Sequence, residues 1–290
     1  MPGERAKMQT AIRTYLEMIR FSHTVFALPF ALMGAILAAG GVPSGEKLWW
    51  ILVAMVGARS GAMGFNRIVD RRLDALNPRT ADRALPRARI TLAAAAAFAA
   101  CSFGLLLVAA WKLNPLCFAL APLAILWVCG YSYTKRFTAL SHVILGASLG
   151  LAPIGAWIAV RGESAPAPII LGGAVLFWVA GFDVLYALSD IEFDRRVGLR
   201  SIPARLGVGK SLAVAAAFHA LTVGGFLVLI PILGLGAFYA LGVALAVLLL
   251  GYEHLLIRRH GLAKLDAAFF NANGLLSIGM FLCTLGDLLL

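Results

Sequence analysis

Nine apolar runs succeed one another along the chain, at roughly residues 22–40, 46–70, 90–111, 114–133, 139–160, 167–189, 211–233, 236–257 and 266–289. Each is about twenty residues long, the length a helix rising ~1.5 Å per residue needs to cross ~30 Å of hydrocarbon. The pattern predicts an all-α fold: a multi-pass membrane helix bundle with nine transmembrane helices, forming one integral-membrane domain over residues 1–290. Residues 1–20 are polar and partly amphipathic, and carry Arg5, Lys7, Arg13 and Arg20. The first apolar run is long enough to span and lacks the short h-region and cleavage site of a signal peptide, so it reads as mature protein.

Composition supports lipid as the main solvent. Mean hydropathy is +0.88, 61% of residues are hydrophobic and 13% are charged. A soluble domain of 290 residues could not hide that much apolar surface. The four cysteines, Cys101, Cys117, Cys129 and Cys283, lie in apolar runs without metal-ligand spacing, and read as small buried hydrophobes.

The net charge of +11 raises the question of nucleic acid, but its distribution argues for a membrane. Basic residues sit between apolar runs rather than on one soluble face. Twenty of the 25 Lys and Arg residues fall in the N-terminal segment and in the connections 71–90, 134–138, 190–210 and 258–265. The alternate connections hold only Lys47, Lys112 and Arg161. By the positive-inside rule the N-terminus is cytoplasmic and the C-terminus outside, in the cell (inner) membrane.

The acidic residues narrow the chemistry. Seven of the fourteen lie in two segments: Asp70, Asp74 and Asp82 in one, Asp183, Asp190, Glu192 and Asp194 in the other. The orientation puts both on the cytoplasmic side. The two helices are four spans apart and run the same way, the arrangement of a parallel internal repeat. In the second span Arg59, Asn66 and Asp70 stand at i, i+7 and i+11 and return to nearly one face, with Asp74 a turn further. The sixth span repeats this spacing with Asp183, Asp190 and Asp194. Charge at membrane depth costs ~2.5–3.5 kcal/mol, so such stripes face the bundle interior or a wet cavity. Four carboxylates converging from two helices repel unless cations join them. Magnesium takes oxygen ligands and bridges carboxylates to substrate phosphates. Lys135, Arg136, Arg72 and Arg83 add positive charge at the same depth, as stabilisation of a departing diphosphate requires.

These residues stand in motifs that resemble the UbiA superfamily of membrane prenyltransferases. Asn66–Asp70–Asp74 is similar to its NxxxDxxxD signature and Asp183–Tyr186–Asp190–Asp194 to its DxxYxxxDxxxD. Asn77 to Pro86 is similar to the family's NPRTxxRPLP loop, with Ala84 where proline is usual, and Tyr131 to Lys135 matches YxxxK. The resemblance implies nine helices around a central cavity capped by cytoplasmic loops. It implies magnesium-dependent prenyl transfer from a polyprenyl diphosphate to an acceptor. Carried over, Asn66, Asp70, Asp74, Asp190 and Asp194 bind magnesium and diphosphate, and Lys135 and Tyr131 contact the diphosphate. Tyr186 belongs to the same motif, and Arg72 and Arg83 are further candidates. The ring proton of the product goes to Asp183 or to a phosphate oxygen.

Arg59 bears on the acceptor. A guanidinium at membrane depth calls for an anion, and its planar fork matches a carboxylate. Its position resembles that of an arginine in family members that prenylate 4-hydroxybenzoate. Residues 21–29 and 189–196 look like that branch, which includes enzymes acting on 1,4-dihydroxy-6-naphthoate in menaquinone biosynthesis. The expected acceptor is therefore a carboxylated hydroxy-aromatic acid, in quinone (ubiquinone or menaquinone) biosynthesis. Arg59 paired with Asp183, or snorkelling along the helix, is the structural alternative. His23 is read as touching substrate or making a local helix-end hydrogen bond, and Arg20 as reaching the diphosphate or anchoring at the interface. Asn271 and Asn273 either line the cavity or bond helix to helix. A transporter is the competing class, since intramembrane Asp and Arg also mark substrate pathways. Clustering of the charge at one face argues against it, because a proton path needs polar steps through the full thickness.

Overall fold

The computed structural model describes residues 14, 15, 17, 18, 24–261 and 265–290, apart from the side chains of 24, 25, 260 and 265–270. Arg20 and His23 lie outside the described residues. Among the described residues no strand occurs, and the principal elements are α1 (Thr24–Ala39), α2 (Gly45–Leu76), α3 (Leu92–Leu113), α4 (Pro115–Thr134), α5 (Ser141–Arg161), α6 (Pro166–Tyr186), a 3-10 turn (Ala187–Asp190), α7 (Ile191–Val197), α8 (Ile202–Leu233), α9 (Ala237–His260) and α10 (Leu265–Leu289). Among the described residues eight helices are long and apolar enough to cross a membrane, and α1 is a shorter apolar helix. Each predicted run thus has its helix, and the protein is an integral membrane bundle.

Local chemistry sets the ends. Ser44, Thr91, Asn114 and Ser201 cap α2, α3, α4 and α8, each accepting a hydrogen bond from a backbone N–H of the first turn. Proline opens α4, α6 and α8, where its missing N–H costs nothing. Gly162 and Gly234 close α5 and α8 in the left-handed conformation.

Three boundaries differ from those predicted by hydropathy. Helix α2 runs past Asp70 to Leu76 and stops at Asn77, which precedes Pro78 and is extended. Arg71 and Arg72 end an apolar run without ending a helix. Helix α8 starts at Ile202, and Gly207 (φ 74°, ψ 177°) separates its first turns from the spanning part. The third difference affects the site. The sixth span is not one helix through Asp194: α6 ends at Tyr186, a 3-10 turn follows, and α7 restarts at Ile191. The Ser189 hydroxyl donates to the Tyr186 carbonyl at 2.8 Å and so supports the turn. Asp183 and Asp190 therefore belong to different elements, α6 and the 3-10 turn, and not to one regular helix as the i, i+7 spacing assumes.

Helices adjacent in sequence pack side by side from α2 to α6 and again from α8 to α10, α6 packs on α8, and α1 joins α5 to α10. Small residues permit the closest approaches. A Cβ on Gly146 of α5 would sit 2.1 Å from the Leu176 carbonyl oxygen of α6, and one on Gly150 would sit 2.4 Å from the Gly172 oxygen. On α2, Gly57, Gly61 and Gly64 turn one face to α3. Asn66 and Asp70 lie about half a helical turn away from them, at ~100° per residue.

The largest core cluster gathers Phe30, Trp178, Phe182, Phe226 and Tyr239 from α1, α6, α8 and α9. Trp178 donates to Asn273 Oδ1 at 2.7 Å, and Asn273 Nδ2 donates to Glu253 Oε1 at 3.1 Å. Asn273 thus serves helix–helix bonding, one of the two roles expected for it, while Asn271 is exposed. Gly146→Leu should force α5 from α6 and cost at least ~1–3 kcal/mol. A clearly lower melting temperature in detergent is expected. Gly104→Ala, where an added Cβ meets nothing within 4 Å, should leave it unchanged or higher.

Candidate active site

The last turns of α2 begin the site. Asp70 is only 3% exposed, a position that an ionised carboxylate holds only with compensating charge. Lys135 Nζ and Arg136 supply it: Lys135 binds Asp70 Oδ2, and Arg136 Nη2 donates to Asp70 Oδ1 at 3.0 Å. Arg136 also donates to the carbonyls of Ser132 (2.7 Å) and Val69 (3.1 Å), which locks the α4–α5 connection onto α2. Asn66 Nδ2 lies 3.3 Å from Asp70 Oδ2 and 3.4 Å from Ser132 Oγ.

One turn on, Asp74 Oδ1 accepts from Arg83 Nη1 at 2.7 Å. Its Oδ2 is buried without a hydrogen-bond partner, with Arg67 Nη1 3.9 Å away. Arg67 is itself buried and donates through Nε to the Met18 carbonyl at 3.2 Å. The loop after α2 is folded back by Thr80, whose hydroxyl donates to the Asp74 carbonyl at 3.0 Å.

Arg79 joins the two acidic segments. Its Nε donates to Asp190 Oδ1 at 3.1 Å and its Nη2 to Asp190 Oδ2, the two-pronged geometry of a guanidinium on a carboxylate. Its Nη1 donates to the Tyr186 hydroxyl at 3.1 Å, and the guanidinium lies over the Tyr186 ring. Burial acts to lower the Arg79 pKa, but the bonds and charges of Asp190 and Tyr186 outweigh it and raise the value. Asn77 Nδ2 adds a bond to Asp190 Oδ1 at 3.2 Å. The end of α2 and the end of α6 are thus held together through one carboxylate.

Asp194 accepts from the Ser201 hydroxyl at 2.6 Å, and that same oxygen caps Ala204 N. Asp183 meets His142 Nδ1 at 2.7 Å, and His142 Nε2 accepts from the Ile202 backbone N–H at 3.3 Å. Tyr131 lies near enough to Asp70 and Asp183 to interact with both charges. Arg59 is half-buried on α2, about 10 Å along the helix from Asn66 at ~1.5 Å per residue.

The structure therefore brings together Asn66, Asp70, Asp74, Lys135, Tyr131, Arg83, Tyr186 and Asp190. Arg72 does not join them. It is exposed, because the registers of Asp70 and Asp74 place it on the outer face of the same helix. Sequence reasoning missed Arg79, Asn77, Arg67, His142 and Ser201. Asn77 and Arg79 lay in a quoted motif without a role, whereas nothing in spacing marked His142. The carboxylates also do not converge on one point. Among the described residues, no three His, Cys, Asp or Glu side chains could enclose a metal by themselves. The buried, unpartnered Asp74 Oδ2 and the all-oxygen donor set fit a hard cation shared with phosphate oxygens. A cavity of about 200 Å³ borders this charged face, lined in part by Arg67, Arg79, Arg83 and Arg89.

The fold and site are those of a helical membrane bundle with two acidic segments joined at one end, and comparison with known proteins gives the family. The profile of the UbiA prenyltransferase family matches residues 27–278, and the chain belongs to that family. It is a prenyltransferase enzyme. The chain is 32% identical over 223 residues to a 4-hydroxybenzoate solanesyltransferase of Synechocystis sp., covering 75% of this chain and 74% of the relative. It is 30% identical over 277 residues to a 4-hydroxybenzoate octaprenyltransferase of Nitrosococcus oceani, covering 92% and 94%. A solved UbiA homologue from Aeropyrum pernix K1, without ligand, superposes with a TM-score of 0.84 at 33% identity, over 92% of this chain and 98% of that one. A homologue from Archaeoglobus fulgidus bound to GPP and Mg2+ shares the fold, with a TM-score of 0.73 at 20% identity, over 94% and 99%.

Arg79→Ala should unlink the ends of α2 and α6. The loss expected in kcat/KM for prenyl transfer is about tenfold or more, the lower part of the range for charge-assisted hydrogen bonds, since the group is a third exposed. Arg79→Lys should not restore it, because a point charge cannot bind both Asp190 oxygens and Tyr186. Steady-state kinetics with both variants checks this.

Proposed function

We propose that this chain transfers a polyprenyl group from a polyprenyl diphosphate to the ring of a carboxylated hydroxy-aromatic acid, 4-hydroxybenzoate or a close analogue. The reaction takes place at the cytoplasmic side of the cell membrane, with magnesium, in quinone biosynthesis. The observation that carries this reading is the pair of acidic segments clamped together by Arg79 at one end of an apolar bundle. The names of the relatives support the acceptor class, and the GPP and Mg2+ held by a protein of the same fold support the donor. The excess of Lys and Arg in the connections at this end supports the cytoplasmic side.

The chain's own groups suit the chemistry. Breaking the allylic C–O bond leaves both electrons on the diphosphate. Lys135, Arg136, Arg79 and Arg83 are the cations that the leaving group meets. Asp70, Asp74, Asp190 and Asp194, with Asn66, are the oxygen donors for magnesium, which when bound neutralises charge on the diphosphate oxygens. The apolar helices exclude water that would quench the allylic cation. A pair of ring electrons forms the new C–C bond, and the ring then loses a proton. Arg59, deeper on the polar face of α2, binds the acceptor carboxylate.

Purified protein with magnesium, a polyprenyl diphosphate and a panel of aromatic acids, including 1,4-dihydroxy-6-naphthoate, should yield a prenylated acid by mass spectrometry. Absence of product from every acceptor, with the fold intact, would favour a transporter. Arg59→Ala should raise the KM for the aromatic acid by about tenfold or more, the value of a charged hydrogen bond, with little change for the prenyl donor. Equal changes for both substrates remove Arg59 from the acceptor site.

A further inference from the structure

Two hydrogen bonds fix the tautomer of His142. The Ile202 backbone N–H can only donate, so Nε2 must present a lone pair to it. The ring hydrogen is therefore on Nδ1 and points at Asp183 Oδ2, 2.7 Å away. The two partners differ in access. The His142 side chain is 5% exposed and that of Asp183 29%, so the histidine is sealed in while its carboxylate partner stays partly accessible. Val184 and Leu185, next to Asp183, are fully buried and hold that segment of α6 in place. Three elements meet at the histidine: α5 carries it, α6 carries Asp183, and α8 supplies Ile202 N. The same helix start holds Asp194, through the Ser201 hydroxyl.

We propose that His142 is a positioning residue for the proton-transfer step: it holds Oδ2 of Asp183 so that the free Oδ1 receives the proton of the prenylated ring. This rests on the aromatic-acceptor reading above. After the C–C bond forms, the attacked ring carbon carries both its hydrogen and the prenyl group. The C–H bond breaks, its electron pair returns to the ring, and the proton forms an O–H bond on Asp183 Oδ1. His142 donates the same hydrogen bond throughout and changes neither charge nor tautomer. Its contribution is geometric. A carboxylate free to rotate about its Cβ–Cγ bond would present Oδ1 to the ring only part of the time, and the bond from Nδ1 removes that freedom. The Ile202 bond removes the corresponding freedom of the imidazole.

The two ring nitrogens can be replaced separately. His142→Asn keeps a donor at the Nδ1 position and loses the Ile202 acceptor. His142→Gln keeps an acceptor near Nε2 and loses the donor to Asp183. His142→Phe loses both. Wild type and variants are assayed with unlabelled acceptor and with acceptor deuterated at the attacked ring carbon. His142→Phe and His142→Gln should lower kcat by about a hundredfold, the lower end of the range for a general base. The KM for the prenyl donor should change by less than about threefold, and a primary isotope effect above about 2 should appear as proton loss becomes rate-limiting. His142→Asn should recover most of kcat and lose the isotope effect. Wild-type kcat in His142→Gln, or loss of activity without an isotope effect, overturns the proposal while leaving the acceptor reading intact. So does equal behaviour of the Asn and Gln variants. Should His142→Phe fail to melt cooperatively, the comparison of Asn with Gln decides alone. A wild type that prenylates no aromatic acid overturns the acceptor reading first, and this one with it.

Discussion

A carboxylate sealed into an apolar bundle is stable only beside a positive charge or a hydrogen-bond donor. That constraint organises one end of this protein. Asp70 lies between Lys135 and Arg136, Asp74 against Arg83 and Arg67, and Asp190 in the fork of Arg79. Asp194 and Asp183 are satisfied by Ser201 and His142. Because Arg79 and Arg83 come from the segment after α2, Lys135 and Arg136 from the α4–α5 connection and Ser201 from the start of α8, meeting the electrostatic demand also folds the connections. The segment after α2 must return over its own helix for Arg83 to reach Asp74, and must cross to α6 for Arg79 to reach Asp190. The cap of the bundle follows from its acids.

The start of α8 ties these pairs together. Ser201 serves Asp194, Ile202 N serves His142, and Arg200 N donates to the Lys135 carbonyl at 2.8 Å while its guanidinium bonds the Phe137 carbonyl at 2.9 Å. The lysine that meets Asp70 and the histidine that meets Asp183 are therefore registered against one short stretch of backbone. A shift of that stretch would move donors on both sides of the site at once.

Much of this was legible in the sequence, for identifiable reasons. Apolar runs of spanning length mark membrane helices because hydrocarbon admits little else. Acids at i and i+4 mark a helical face, and Asp70 and Asp74 do lie together on α2. The readings failed where backbone hydrogen bonding rather than hydropathy decided. Hydropathy ends the second span at Asp70, but a helix has no reason to stop at arginine, and α2 continues to the proline boundary. Spacing alone joined Asp183 to Asp190, whereas the 3-10 turn at 187–190 separates them: one faces His142, the other Arg79. Arg72 was expected at the site, and Arg79 had no role beyond its place in the loop motif. Adjacency on a helix means a rotation of ~100°, and the loop arginine is the one that reaches across. His142 carries no signal at all, since its role depends on a tautomer set by the backbone of a helix sixty residues away. Arg20 and His23 fall outside the described residues.

Gly207 gives this arrangement a mechanical property. Its backbone, at φ 74°, takes a conformation that a residue with a Cβ adopts only at a cost, and it interrupts α8 five residues after Ile202. The turn that binds the acidic cap and the helix that crosses the bilayer are consequently set apart by one glycine. Ser201 and Ile202, which bond Asp194 and His142, thus lie on the cap side of that break, and the direction of the spanning helix is set on the other.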